Sequence, residues 1–271
     1  MIFEYEFMQN AFAASGLVGL VAGIVGYFLV LRRQAFAGHA LSHVGFAGAT
    51  GAALIGWNPL LGMVAVTLLA SSWMGMLAEK LEDADVVTAA VLSLSLGLGM
   101  LFLHFYSGFA STASTLLFGN VLAVDRPTLY LLACMAALCL GAMACIARPL
   151  IFASLQPEVA EARGVNLRQL SVLFLGVVAI CTTQCTQIVG VLLVFTLLVG
   201  PAATVQQMTL PVARGAVLSA LLAIAEAWGG LILAFYTDWP TSFWITVLSS
   251  AAYLAARLVC RRSFIKAPHV H

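Results

Sequence analysis

Charge is what this sequence has least of. Only 8% of its 271 residues are Asp, Glu, Lys or Arg, against 62% hydrophobic residues, and the mean hydropathy is +1.04. A soluble domain is about a quarter charged, so a water-soluble enzyme is excluded, as is a disordered chain. The net charge of +1 supplies no basic excess for a phosphate backbone, and a nucleic-acid partner is excluded with it. Long polar loops are missing too, so the six cysteines fall within or at the ends of apolar stretches. They read as membrane-buried thiols rather than a disulfide framework. The first residues, Met1 to Glu6, are acidic where a cleavable signal would be basic, so no signal peptide is expected. What remains is an all-α polytopic membrane protein.

What is there is a series of charge-free intervals: 7–31, 34–78, 86–124, 127–147, 169–213 and 239–256, with 215–237 broken only by Glu226. A membrane-crossing helix needs about 20 apolar residues, so the two 45-residue intervals each hold a pair. The first pair should turn at Trp57-Asn58-Pro59, the second at the polar run Thr182 to Gln187. About eight to nine spans follow, in one transmembrane domain covering 1–271. With the N-terminus outside and nine alternating spans, eleven of the twelve basic residues fall on the cytoplasmic side and only Arg126 outside, as the positive-inside rule demands. The stretch from Tyr106 to Val124 then lies along the outer face or dips into the membrane as a re-entrant segment, and the C-terminus is cytoplasmic.

The second span carries the chemistry. In Gly38-His39-Ala40-Leu41-Ser42-His43 the two histidines are four residues apart and share a helix face. Gly and Ala dominate the rest, which lets neighbouring backbones come close. Ionisable side chains at membrane depth are costly and point to a path for substrate or protons; two neutral imidazoles form half a site for a borderline metal. Protonation below about pH 6.5 would weaken such a site. Glu226 is the carboxylate in the middle of an apolar segment, either facing water near the outer end of its span or lining the path. Asp238 belongs to a loop at the outer mouth. Cys181 and Cys185, also four apart, form a weaker ligand pair, His104 is a lone interfacial histidine, and His269 and His271 form a short chelating motif.

Between two spans lies the cytoplasmic segment Leu155 to Val165. Pro157 suits a first helical position and Gly164 a C-terminal cap, while Glu158 and Glu161 early and Arg163 late complement the helix dipole. This predicts a short helix at the membrane surface, over about 156–164. Pro201, in Gly200-Pro201-Ala202-Ala203-Thr204, predicts a kink or break in the seventh span.

Several of these stretches in this order resemble the membrane permeases of the zinc/manganese/iron-chelate branch of the ABC transporters. They are Leu31-Arg32-Arg33 with Gly38 to His43 and Gly48; Leu117-Phe118-Gly119-Asn120-Val121-Leu122; the Pro157–Gly164 helix; Val189-Gly190-Val191 running to Pro201-Ala202-Ala203-Thr204; and Tyr236-Thr237-Asp238-Trp239-Pro240. The resemblance implies a homodimer in a bacterial cytoplasmic (inner) membrane, in contact with lipid. It also implies two cytoplasmic ATPase subunits and an extracytoplasmic metal-binding protein. Pro157, Glu158, Glu161, Ala162, Arg163 and Gly164 would form the coupling helix seated on the ATPase. His39, His43, Glu226 and Asp238 would meet the transported ion, with no permanently bound cofactor. The sequence has no G-x-x-x-x-G-K-[ST], so ATP would be hydrolysed by the partner chain.

Two positions depart from the family pattern. Many members have Asp where this chain has His39, and Gln156 replaces an Asp before the surface helix. Imidazole in place of a hard oxygen moves preference from manganese toward zinc, so the expected cargo is Zn²⁺, with manganese or iron as alternatives. An intramembrane metalloprotease would need H-E-x-x-H, which is missing. An ATP-independent metal channel or carrier would use the same buried residues but would not need the surface helix.

Overall fold

The computed structural model describes residues 5–77, 81–105 and 117–265, with the side chains of 81–84 and 261–265 excepted. Among the described residues ten α-helices account for nearly all the structure: α1 (Glu6–Leu31), α2 (Ala35–Leu54), α3 (Pro59–Leu77), α4 (Leu81–Phe105), α5 (Arg126–Leu155), α6 (Pro157–Ala162), α7 (Leu167–Val189), α8 (Val191–Gln206), α9 (Val212–Thr237) and α10 (Thr241–Ile265). Seven of them, α1, α3, α4, α5, α7, α9 and α10, are long and apolar enough to cross a membrane. The other two long elements are α2, twenty residues rich in Gly and Ala, and α8, sixteen residues.

Close approach through small residues orders the bundle. α1 runs antiparallel to α9, with Gly16 against Trp228, Gly19 against Ile224 and Gly23 against the Ala220 backbone. Gly26 meets the Leu198 carbonyl of α8, where a Cβ has no room. Polar side chains in this seam find partners across it: Ser219 Oγ donates to the Gly23 carbonyl (2.8 Å), and Trp228 Nε1 to that of Phe12 (3.0 Å). α1 is accordingly, with α7, one of the two most enclosed spanning helices among the described residues. A second layer holds α2 against α3, where Gly48 and Gly62 touch backbone to backbone, and against α4, where Gly99 packs on Phe46. Without a hydrophobic force between helices in lipid, such contacts carry the packing.

The turn between α2 and α3 falls at Trp57-Asn58-Pro59 as expected; Asn58 Oδ1 accepts the Leu60 amide (2.9 Å) and Pro59 opens α3. The expected turn at Thr182–Gln187 is not there. α7 continues through that run because Thr182, Thr183 and Thr186 return their hydroxyls to carbonyls of their own helix, at 2.8–2.9 Å. The chain breaks instead at Gly190, φ 79°, ψ 160°, a conformation essentially reserved for glycine. Pro201 does not break α8, which is continuous from Val191 to Gln206. The surface helix forms as α6 and closes at Gly164, φ 83°. Of the Tyr106–Val124 stretch, 106–116 lie outside the described residues. The remainder folds against α1, where Asn10 Nδ2 donates to the Val124 carbonyl (3.2 Å).

Arg32, Arg163, Arg168 and Arg214 thereby gather at one end of the bundle, here the basic end. Gly119, Gly190 and Asp238 lie at the other.

Candidate functional site

α2 begins at the basic end and carries His39 and His43 into the bundle. Nothing in this helix resists close packing, and α3, α4, α7 and α8 surround it. The imidazoles lie edge to face with centroids 4.8 Å apart, and both are half-buried. Phe195 of α8 packs edge-on against His39 (5.3 Å), and the Phe36 ring stacks with it at 6.5 Å. Nδ1 of His39 is buried with no hydrogen-bond partner, and Ser42 returns its hydroxyl to the His39 carbonyl (2.7 Å). His39 therefore offers a ring nitrogen not already committed to the protein. The face-sharing expected from spacing is present. Phe195 was not legible, because only tertiary packing brings α8 beside α2.

The two carboxylates do not join the imidazoles. Among the described residues, no three or more His, Cys, Asp or Glu side chains come together as a metal site. Glu226 does not face water: it is 3% exposed and lies beside Ser249 of α10. Neither of its oxygens nor Ser249 Oγ meets hydrogen-bond geometry with a partner. The reason is the α9–α10 interface, where Gly230 admits Ile245 and Gly200 of α8 admits Ser249, closing the helices over the carboxyl. Asp238 caps α9 in a left-handed conformation (φ 55°) and is exposed. It stands next to a 210 Å³ cavity at the non-basic end, lined by Ser15, Asn120, Leu197, Leu231 and Thr241 among others.

Cys181 and Cys185 are fully buried and sit with Cys139 of α5 rather than with the histidines. Gln184 Nε2 donates to Cys139 Sγ (3.7 Å), which donates to the Val177 carbonyl (3.6 Å). All six cysteines are free thiols. His104 is exposed at the end of α4, and His269 and His271 lie outside the described residues.

At the basic end, α6 buries only Ala160 and exposes Pro157, Glu158, Glu161, Ala162, Arg163 and Gly164. Arg163 lies over the Phe152 ring (5.6 Å). Leu155 and Val159 are exposed beside them, so this short helix presents a mixed apolar and charged surface beyond the bundle.

A family model for the ABC 3 transport family matches residues 4–260. The chain is 26% identical over 268 residues to the manganese transport system membrane protein MntC of Listeria monocytogenes, covering 98% of this chain and 93% of the relative. It is 29% identical over 205 residues to the manganese import system permease protein ScaB of Streptococcus parasanguinis, covering 74% and 72%. In fold it is similar to PsaBC from Streptococcus pneumoniae, with a TM-score of 0.83 at 23% identity, over 94% of this chain and 92% of that one. With a match spanning nearly its whole length and a helix bundle of the same fold, the chain belongs to the ABC 3 transport family, as a transport permease whose ATPase is a separate subunit.

Proposed function

We propose that this permease moves Mn²⁺ inward by alternating access, as one half of a homodimer served by cytoplasmic ATPase subunits and an extracytoplasmic metal-binding protein. The expectation of zinc gives way to manganese because relatives matched over about nine-tenths of their length are named manganese transport system membrane proteins. The observation that carries the site is the His39–His43 pair, half-buried in a helix of small residues with one ring nitrogen left unpartnered. Two imidazoles are too few to close a coordination shell, which suits a cargo held only briefly. A second copy bringing its own pair would complete the site on the dimer axis.

In this reading the N-terminus is outside the cytoplasmic membrane and the basic end faces the cytoplasm, as the positive-inside rule favours. The ion enters at the non-basic end, where the exposed Asp238 carboxylate attracts it, and passes to the histidine pair. Glu226, closed off against α10, is available to the ion only when α9 and α10 part. ATPase closure acts on α6, whose exposed charged and apolar side chains fit a groove on a separate chain. A second reading, zinc, is favoured by one observation: His39 offers nitrogen where a harder oxygen would suit manganese.

The test is uptake in proteoliposomes holding this chain, its ATPase and its binding protein, with Mn²⁺ and Zn²⁺ compared for wild type and His39→Asp. ATP-dependent Mn²⁺ uptake, strengthened relative to Zn²⁺ in His39→Asp, is the expected result. Zinc-only uptake would establish the second reading. Uptake without ATP would identify a passive channel and refute both.

A further inference from the structure

We propose that Arg32 is the positioning residue that links the surface helix α6 to the histidine-bearing helix α2. This rests on the permease reading and concerns how ATPase movement reaches the ion site.

Arg32 closes α1, and a charged side chain there can reach water by extending along the helix end. It turns inward instead and is half-buried. Its Nη2 donates to Ser171 Oγ of α7 (3.0 Å), and its Nε donates to Oε1 of Gln34 (3.2 Å), the residue that opens α2. The guanidinium also lies over the ring of Phe174, 5.6 Å from its centroid, and that ring is fully buried in α7. Ser171 and Phe174 are three residues apart and so share one face of α7. Among the described residues the ion pair found is Arg126 with Glu6, at the other end of the bundle; a hydroxyl, an amide and a ring hold Arg32. Contacts of this kind set the register of two helices without locking them as a buried ion pair would.

Both sides of this joint are stiff. On the α2 side, Arg33 is in the left-handed region (φ 57°), its amide donates to the Val30 carbonyl (3.0 Å) and that of Gln34 to Leu29 (2.9 Å). α2 starts at once from this corner, and His39 follows within its second turn. On the α7 side, the Val165 amide donates to the Ala160 carbonyl (3.0 Å) and the Gly164 amide to that of Glu161 (2.9 Å). Asn166 then caps α7 by accepting the Gln169 amide (3.0 Å). So short and bonded a connection passes a displacement of α6 to the first turns of α7, where Ser171 and Phe174 grip Arg32. The coupling runs α6, α7, Arg32, α2, His39, through continuous contacts of a physical kind.

The experiment measures ions imported per ATP hydrolysed, in the reconstituted complex with its ATPase and binding protein, for Arg32→Gln, Arg32→Lys, Ser171→Ala and Phe174→Leu. Arg32→Gln should lower the ratio about ten-fold, within the usual range of coupling between sites, while ATP hydrolysis continues. Arg32→Lys should recover part of it, since a lysine keeps the charge but cannot reach both partners. Ser171→Ala and Phe174→Leu should each lower the ratio less, and adding Ser171→Ala to Arg32→Gln should lower it no further. An unchanged ratio in Arg32→Gln, or losses that simply add in the double variant, overturns the proposal. If Arg32→Gln fails to assemble with the ATPase, Ser171→Ala and Phe174→Leu decide alone, and an unchanged ratio in both overturns it. Wild type without ATP-dependent uptake would sink the permease reading itself, which is a different result from a wild type that transports beside variants that couple normally.

Discussion

The backbones of Gly119 and Gly190 pack against each other with no room for a Cβ on either. Both have positive φ, 75° and 79°. Two stretches far apart in the sequence, Phe118-Gly119-Asn120 and Val189-Gly190-Val191, thus form one contact that ties the loop before α5 to the α7–α8 break. Gly190→Ala should therefore destabilise the bundle by more than about 3 kcal/mol, since conformational strain adds to a backbone collision. Gly56 is a control: its φ is 76° but nothing lies within 4 Å of an added Cβ, so Gly56→Ala should cost only about 1 kcal/mol of strain. Thermal unfolding in detergent compares the two, and equal losses would contradict the contact.

His39 and His43 share one face while His104 stands alone and exposed. Substituting either paired histidine by Ala should abolish metal uptake while leaving assembly with the ATPase intact. His104→Ala should transport as wild type. Both are read by uptake and co-purification, and retained uptake after loss of both His39 and His43 would remove the proposed site.

Glu226 is buried beside Ser249 with neither side chain partnered. A buried polar group without a partner costs roughly 1–3 kcal/mol, and an apolar side chain of similar volume avoids that cost. Glu226→Met should raise the unfolding temperature. If uptake falls at the same time, the carboxyl meets the ion when α9 and α10 part; a lowered unfolding temperature would instead show that the carboxyl is satisfied where it sits.

Asp125 caps α5, its Oδ1 accepting the Thr128 amide at 3.0 Å. Hydrogen bonding from Thr128, first its side chain and then its backbone, holds the carboxyl below its ordinary value of 3.8. A carboxyl lowered on folding stabilises above its unfolded value and loses that contribution as pH falls through the folded one. Protection of the Thr128 amide from hydrogen exchange should thus be full above about pH 4 and fall as the pH drops further. Asp125→Ala should be unprotected throughout; a pH-independent wild type would rule the cap out.

The sequence by itself determined the class and much of the layout. Scarce charge and long apolar intervals demand a membrane bundle; Asn58-Pro59 stops one helix and starts the next by local chemistry; Pro157 and Gly164 bound α6; and four-residue spacing puts His39 and His43 on one face of any helix. These features act within a few residues, so they are legible without a fold. Tertiary structure decided the rest. The polar run at Thr182–Gln187 looks like a turn until its hydroxyls are seen bonding back to their own helix, and Gly190 breaks the chain where Gly119 meets it. Glu226 is closed off by helices that come close through Gly200 and Gly230. Arg32 reads as one more positive charge at a membrane edge until α7 supplies Ser171 and Phe174. In each case the deciding partner comes from a distant part of the chain, and only packing brings it there.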